Sequence, residues 1–524
     1  MKTYYKKRIL KALKISLGLL AIMFLVLTTA LFWPMPKIHV PIKTNKILIK
    51  SVNVIDVKTG KISYNRNVWI EGYRISMIDS IETAKPDANV LIIDATDKFL
   101  IPGLWDMHTH STQHSPWLHH PLYIANGVTA IRDMSGQLDR PDSYWAGTKD
   151  RLGWNEKLDN YKQATPRYVL QSSFQINGEN SVPSGFPEFF KVLRPKDVIS
   201  LLNYYEKEGA DFIKVYADIP AESYRVLVKE CARYNIHLAG HKPLNVSLKE
   251  AIVSGQRSFE HGRIFMFDCF PDADSLLRAH DKVKAFRELK PSMIAQFDTL
   301  KAGQIMELMS NHNSHWTPTL QTVKMSAYAD DEEFINSPYL DYIPTIRKAL
   351  FWMPDISRSA KDNISSERIG INKDFYESVK LQVAMAHRKG VPIMVGTDVT
   401  DTYVFPGFSL HTELEDLAKT GMSNLEVLRS ATLIPARYSS LENELGSIGS
   451  GKLADLVLLQ KNPLDDIRNT REIAGVILNG NYYDQTTLNN FKKDTKALAS
   501  SFHMNVKFAF SFLNSPLMRK QIAD

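Results

Sequence analysis

The chain has 524 residues, 44% of them hydrophobic and 23% charged, a composition typical of globular proteins and not of disordered ones. It is long enough for one large domain and a smaller one. The net charge is +7, but six cations lie before residue 15, and without them it is +1. A nearly neutral body excludes the basic surface of a nucleic-acid-binding protein. Two cysteines, Cys231 and Cys269, exclude a disulfide framework and leave open one bridge or two buried thiols.

Residues 1–36 combine a basic flank with an apolar run. Ile15–Trp33 carries no charge over nineteen residues, about the length of a bilayer-spanning helix. Because basic flanks stay in the cytoplasm, such an anchor would place the body on the non-cytoplasmic side, periplasmic or extracellular. The alternative is a signal peptide cleaved near Thr28–Ala30, which would leave a secreted protein. The apolar residues that continue through Trp33 favour the anchor.

Short β-rich runs lie near both ends of the chain. Between residues 47 and 79 they are broken by turn residues, namely Thr59-Gly60, Asn65 and Gly72, which predicts β-hairpins. Similar runs recur after residue 440. We therefore predict a small composite β-sandwich formed by residues 46–100 and 440–484, followed by a helical tail over 485–524.

Residues 101–439 alternate short apolar strands with helical stretches, which predicts an α/β fold with a parallel sheet. The predicted strands are Leu104–His108, Thr129–Asp133, Tyr168–Ser172, Phe212–Tyr216, Ile236–Gly240, Ser258–Glu260, Trp316–Leu320 and Ile393–Gly396. Eight such strands predict a (β/α)8 TIM barrel. Two long intervals, 135–165 and 323–372, are predicted to be insertions at the loop ends where substrate pockets form.

The stretch Ile101–His110, which reads IPGLWDMHTH, ends a predicted strand with two histidines at i and i+2. In an extended strand that spacing places both side chains on one face. Two imidazoles held in this way can bind one divalent metal ion.

Four more candidates lie at predicted strand ends: Lys214, His241, His261 and Asp398. In a (β/α)8 barrel these ends converge on one face, where the chemistry of the fold is found. Each residue also has an ordinary explanation: a histidine with a satisfied polar role, a lysine in a buried ion pair, an aspartate that caps a helix. Together with the paired histidines, however, the set indicates a metal site.

Several motifs make a family resemblance visible. They are PGLWDMHTH, GVTAIRDM, DFIKVY, LAGHKP, SFEHG, VGTD and GSIGSGKLADLVLL with NPLDDI. With these motifs the chain resembles the amidohydrolase superfamily of metal-dependent hydrolases from about residue 47 to residue 483. Within it, the chain is similar to the imidazolonepropionase-like branch, which includes Xaa-Pro and Xaa-Arg dipeptidases (prolidases).

The resemblance implies a role for each candidate. One metal ion would be bound by His108, His110 and Asp398, a second by His241 and His261, and both would be bridged by Lys214 carrying a carboxylate made from CO2. Zinc is the expected ion, with manganese or cobalt as alternatives.

The implied reaction is attack by a metal-bridging hydroxide on a carbonyl carbon, with Asp398 moving the proton to the leaving amine. Tyr216, two residues after Lys214, is a candidate hydrogen-bond donor to the carbonyl or the oxyanion; the alternative is a packing role. Lys242 and Arg132 are candidate partners of a carboxylate, with purely structural roles as the alternative.

We therefore expect an enzyme that hydrolyses a C–N bond of a small amide or dipeptide-like molecule; a lactam, cyclic imide or N-acyl amino acid stays open as substrate. The alternative is a mononuclear deaminase or ring-opening hydrolase in which Lys214 is not carboxylated. A third hypothesis is an inactive scaffold of the dihydropyrimidinase-like type. The expected partners are the substrate and, through the N-terminal helix, a membrane, but not nucleic acid; a homo-oligomer is compatible with the sequence.

Overall fold

The computed structural model describes residues 2–41, 44–79, 89–138, 140–178, 182–183, 185–191, 193–279, 282–364 and 370–523. The strands are β1 (Lys46–Ile55), β2 (Ile62–Glu71), β3 (Arg74–Asp79), β4 (Val90–Asp94), β5 (Phe99–Pro102), β6 (Leu104–Thr109), β7 (Val128–Asp133), β8 (Arg167–Gln171), β9 (Phe212–Val215), β10 (His237–Gly240), β11 (Ser258–Glu260), β12 (His315–Thr317), β13 (Leu456–Leu459), β14 (Ile473–Leu478) and β15 (Asn481–Asp484).

The α-helices are α1 (Lys2–Phe32), α2 (Ser115–Leu118), α3 (His120–Ala125), α4 (Thr148–Asp159), α5 (Glu188–Lys191), α6 (Val198–Glu208), α7 (Ala221–Tyr234), α8 (Leu248–Val253), α9 (Ala273–Arg278), α10 (Lys282–Ala295), α11 (Thr299–Asn311), α12 (Leu320–Ala327), α13 (Glu332–Ile335), α14 (Thr345–Arg347), α15 (Met353–Ile364), α16 (Ile371–Arg388), α17 (Phe408–Ala418), α18 (Asn424–Ser430), α19 (Leu433–Tyr438), α20 (Gln485–Ser500), α21 (Phe502–Asn514) and α22 (Pro516–Ala523).

The central part of the fold is a ring of parallel segments. Strands β6, β7 and β8 pair in order, as do β9 to β12, and a bridge between Ser172 and Phe212 joins the two groups. The ring closes through residues 393–396, because the Met394 amide donates to the Trp316 carbonyl (2.9 Å) and the Met107 amide donates to the Val395 carbonyl (2.9 Å). The predicted α/β class is therefore confirmed, and the largest hydrophobic core lies in and around this ring.

Two predicted strands differ from the structure by more than one residue at an end. Over 316–320 the strand ends at Thr317 and a helix begins at Leu320, because the oxygens of the buried Glu413 carboxyl group accept the amide hydrogens of Leu320 (2.8 Å) and Gln321 (3.1 Å). Residues 393–396 form backbone hydrogen bonds to β12 on one side and β6 on the other, but without the repeating pattern of a strand. Their pairing with β12 is a single bridge between Trp316 and Ile393.

A second sheet contains strands from both ends of the chain, in the order β15-β14-β13-β5-β1-β2-β3, with β4 also paired to β1. The first half of β1 pairs with β4 and its second half with β5, so the sheet divides at β1 and resembles a sandwich. Turns lie at Thr59-Gly60 and Gly72, as predicted, whereas Asn65 lies within β2 at a shift in register, with φ of 51°. The left-handed backbone conformation of Asn65 therefore belongs to a β-bulge and not to a turn.

The two ends of the chain are helical. Helix α1 is long and apolar enough over Tyr4–Phe32 to cross a membrane, and a signal sequence would pass the same test. After β15 the tail forms α20, α21 and α22. Cys231 and Cys269 are both buried free thiols, which decides between the alternatives left open by the sequence.

Candidate metal centre

The six candidate ligands all lie at the carboxyl end of a parallel segment of the ring. They are carried by β6 (His108 and, directly after it, His110), β9 (Lys214), β10 (His241 follows it), β11 (His261 follows it) and the 393–396 segment (Asp398, two residues on). Since the carboxyl ends of parallel segments meet on one face of the ring, the fold brings these side chains together.

Asp398 lies at the centre of the group. Its Oδ1 atom is 2.8 Å from His110 Nε2 and 3.3 Å from His108 Nε2, and its Oδ2 atom is 3.5 Å from His261 Nδ1. His241 joins the group through His261, with 3.1 Å between their Nε2 atoms. Four imidazoles and one carboxylate therefore share one small volume.

Three of these imidazoles have their Nδ1 atom at hydrogen-bond distance from a neighbour outside the group. The pairs are His108 with Glu260 (3.0 Å), His110 with Ser135 (2.9 Å) and His261 with Thr319 (2.9 Å). Such contacts fix the orientation of each ring and are typical of histidines that bind metals.

Burial favours the neutral form of three imidazoles, those of His108, His241 and His261. It lowers the pKa of His108 to about 4 and that of His261 to about 3, and it lowers the pKa of His241 well below its usual value. Burial also opposes ionisation of Asp398, but the neighbouring His108 and the hydrogen bond with His110 hold the pKa of its carboxyl well below the usual range. Neutral imidazoles and an ionised carboxylate are the forms that bind divalent metals.

The donors fit a divalent ion. Donor atoms of His108, His261 and Asp398 all lie within 4.8 Å of one another. Among the described residues, the buried His108 Nε2 atom has no well-aligned hydrogen bond, although Asp398 Oδ1 lies 3.3 Å away, and that is unusual for a buried polar atom. A cation among these atoms would satisfy it, so the group could bind a metal ion.

The backbone around the group is tightly constrained. His261 has φ of 71° and Asp398 has φ of 67°, a region that non-glycine residues rarely occupy. Asp398 is held there by its amide, which donates to the His108 carbonyl (2.8 Å). At Gly396 a Cβ atom would lie 2.8 Å from His108 Cβ and 2.4 Å from Thr317 Cγ2, so only glycine permits this approach. Backbone strain of this kind is found at functional sites.

Lys214 is a buried lysine beside these candidate ligands. Only 2% of the residue is exposed, and it borders a cavity of about 300 Å³ that also contacts His110, His241 and Asp398. Burial lowers the pKa of its amine, and the negative charges of Asp398 and Glu260 partly oppose that shift.

Glu260, a residue not predicted to matter, supports the site from behind. Its fully buried carboxylate accepts two hydrogen bonds from Arg132 Nη2, both 2.8 Å, and faces His108 Nδ1. Burial would raise the pKa of Glu260, but the Arg132 guanidinium and His108 lower it to about 2. The signal in the sequence was a charged residue in an otherwise apolar strand, directly before His261.

Arg132 and Lys242 have structural partners. Arg132 is paired with Glu260, and the Lys242 ammonium lies 2.9 Å from Asp268 with only 3% of its side chain exposed. Both basic side chains are therefore paired with carboxylates of this chain. These ion pairs favour structural roles for Arg132 and Lys242.

Both predicted insertions reach the cleft that borders the candidate ligands. Trp145 from the first insertion and Arg347 from the second line the 300 Å³ cavity, together with Met518 from α22. Residues 365–369 of the second insertion lie outside the described residues. Tyr216 lies in the same cleft with its ring 3.9 Å from that of His241, centroid to centroid.

Two further charged residues of the cleft were missed by sequence reasoning. Arg263, two residues after His261, is exposed in an adjoining cavity of about 280 Å³ and lies 5.4 Å from the Phe286 ring. Asp401 follows Asp398 by three residues, and burial together with that carboxylate raises its pKa to about 7. In the sequence, the one indication of a role for Arg263 or Asp401 is a charged residue close to a candidate ligand.

The sequence matches the model of the amidohydrolase family over residues 219–482, half of the chain. That segment includes His241, His261 and Asp398 and begins after Lys214. Comparison with curated proteins gives no match. The chain belongs to the amidohydrolase family and is a hydrolase of that family.

Solved structures share the fold at low sequence identity. The bottromycin amidohydrolase is 22% identical, with a TM-score of 0.66 over 90% of this chain and 93% of that one. A Xaa-Pro dipeptidase with methionine in its active site is 21% identical, with a TM-score of 0.57 over 84% and 100%. The ochratoxinase of A. niger is 17% identical, with a TM-score of 0.56 over 84% and 96%.

The Glu260→Gln substitution would remove the negative charge that faces Arg132. We expect the free energy of unfolding to fall by about 3–5 kcal/mol, because a buried guanidinium is left unpaired. We also expect the affinity for a divalent metal ion to fall about 10- to 100-fold, since the acceptor that orients His108 loses its negative charge. Chemical denaturation and zinc titration measure the two effects.

Glu413→Gln is the matched control. Glu413 is also fully buried, but burial raises the pKa of its carboxyl to about 8, so the native group is neutral at pH 7. The amide keeps only one of the two oxygens that accept the Leu320 and Gln321 amide hydrogens, so it should cost about 1–3 kcal/mol and leave metal binding unchanged. Equal effects of the two substitutions would contradict the role assigned to Glu260.

Proposed function

We propose that this protein is a metal-dependent amidohydrolase that cleaves the C–N bond of an amide or dipeptide-like small molecule, and that its ring is a (β/α)8 barrel. The observation that carries the proposal is the convergence of His108, His261 and Asp398 donor atoms within 4.8 Å. The proposed ligands are His108, His110 and Asp398 for one ion and His241 and His261 for a second, with N-carboxylated Lys214 between them.

The carboxylation of Lys214 is supported by charge. An ammonium beside two divalent cations would be repelled, whereas a carbamate offers two anionic oxygens. The residue lines the cleft, so CO2 can reach its amine. The donor set of imidazoles and oxygens suits zinc, with manganese or cobalt as alternatives.

When bound, the ions would supply hydroxide near neutral pH and polarise the scissile carbonyl. Asp398 borders the cleft and contacts three histidines, so it can accept the proton of the attacking water and pass it to the leaving nitrogen. A C–O bond then replaces the C–N bond, and one proton moves from water to nitrogen.

Tyr216 is proposed to donate a hydrogen bond to the substrate. Burial raises the pKa of its phenol, so the hydroxyl keeps its proton and can stabilise a developing oxyanion. The close stacking on His241 also supports the alternative, in which Tyr216 only packs against that ring.

We further propose that the leaving group carries a carboxylate, as in dipeptides and N-acyl amino acids. Arg263 supports this, because it is a cation in the cleft with no carboxylate within 4.0 Å among the residues the structure describes. A guanidinium binds a carboxylate through two parallel hydrogen bonds. The similarity to a Xaa-Pro dipeptidase is consistent with such a substrate.

Helix α1 is proposed to remain as a membrane anchor, with the body on the non-cytoplasmic side. The support is its contact with the tail: Ala30 is only 6% exposed, and Lys507 Nζ donates to the Leu31 carbonyl. The basic flank before the helix favours this orientation. Secretion after signal cleavage is the alternative.

Asp398→Asn should lower kcat by about 10² or more, because the amide cannot accept the proton. Turnover is measured on a panel of dipeptides and N-acyl amino acids with zinc and bicarbonate supplied. The melting temperature should stay close to that of the wild type, which separates lost chemistry from lost folding. Retained turnover would contradict the proposed proton transfer.

Metal analysis of the purified chain tests the two-ion site. We expect two ions per chain with bicarbonate present and one after Lys214→Met, because the bridging carbamate is lost. One ion in the wild type would support the mononuclear deaminase or ring-opening hydrolase instead. No bound ion would support the inactive scaffold.

Arg263→Leu should lower kcat/KM for an N-acyl amino acid by about 10- to 100-fold, the value of a charged hydrogen bond. The matching carboxamide substrate, which has no charge for Arg263 to bind, should change little. Arg233→Leu, at an exposed arginine on α7, is the control and should affect neither substrate. Equal losses on both substrates would exclude carboxylate recognition by Arg263.

A further inference from the structure

Helix α21 is apolar on two opposite faces. Its inner face packs on the body through the buried side chains Met504, Phe508 and Phe512. The ring centroid of Phe508 lies 5.5 Å from that of Tyr144, and Phe512 lies 4.6 Å from Phe351. This face accounts for the attachment of the helix to the protein.

The outer face is also apolar but exposed. Phe502 is 58% exposed, Phe510 48% and Leu513 62%. At 3.6 residues per turn these three positions fall within about 80° of the helix circumference. Val506, which lies between them on the circumference, and Ala509, about 20° beyond Phe502, are apolar too. A helix facing water would carry polar residues here, so the outer face is adapted to an apolar neighbour.

The position of α21 identifies that neighbour. The helix lies against the last turn of α1, where Lys507 Nζ donates to the Leu31 carbonyl and Ala30 is buried. Trp33, at the end of α1, is 55% exposed, and tryptophan is enriched where hydrocarbon meets headgroups. If α1 spans a bilayer, α21 lies at that boundary.

The charge of the tail fits a lipid surface. Residues 485–524 contain six cations and two aspartates, a net charge of +4. Basic residues next to an apolar helix face are typical of helices that lie on membranes containing anionic lipids.

We propose that α21 is a second membrane contact, with its outer face embedded at the lipid interface beside the anchor. The proposal rests on the membrane-anchor part of the proposed function and goes beyond it. The inner face of α21 packs on Tyr144, which lines the cleft, and Arg347 donates to the Tyr144 hydroxyl (2.8 Å). The bilayer therefore supports a wall of the active-site cleft.

The test uses the full chain reconstituted in phosphatidylcholine vesicles with and without phosphatidylglycerol. A Phe510→Cys variant is labelled with an environment-sensitive fluorophore, and lipids carrying a nitroxide near the headgroup serve as quencher. The native thiols compete little, because Cys231 is 3% exposed and Cys269 fully buried. Tyr64→Cys, at a 61% exposed position in β2, is the matched control.

We expect the label at position 510 to be quenched and shifted to the blue, and the label at position 64 to remain unquenched and unshifted. Equal, water-like signals at both positions in chains that stay with the vesicles would overturn the proposal while leaving the anchor intact. Release of the chain from the vesicles by an alkaline wash would overturn both. Energy transfer between labels at position 510 without lipid quenching would assign the face to a second copy of the chain and overturn the lipid contact.

Discussion

The buried ion pair between Arg132 and Glu260 is the interaction on which the site depends. One guanidinium of β7 holds the carboxylate of β11, and that carboxylate orients His108 of β6. Arg132 Nε also donates to the Met107 carbonyl (2.6 Å). These contacts connect strands β6, β7 and β11 next to the candidate ligands. Neither charge can be removed alone without leaving the other buried and unpaired.

The Arg132–Glu260 pair also contributes to the net charge of the buried side chains around the candidate ligands. Counted at their formal charges, the basic residues Arg132 and Lys214 balance the acidic residues Glu260 and Asp398, so these four largely buried side chains sum to zero. Carboxylation would turn the Lys214 cation into an anion and change the sum to minus two. Divalent cations would then enter a site of opposite sign, which explains in electrostatic terms why a lysine can lie where metals are expected.

Much of this could be predicted from local sequence. The alternation of strands and helices indicated the α/β class, and strand ends marked the candidate ligands. What could not be predicted depends on distant contacts. Glu413, more than ninety residues away in the chain, turns Leu320 into the start of a helix. Glu260 and Arg263 were missed because a single charge beside a histidine does not reveal which neighbour it will face.

The contribution of Met518 to the cleft has a consequence for how the protein is made. The residues that line the cleft extend from His110 to Met518 in the sequence. His110 is therefore synthesised about 400 residues before Met518. At typical rates of translation this is a delay of about 20–80 s. The cleft stays open on one side throughout that time. Until Met518 has been synthesised, the cleft lacks one of the side chains that line it.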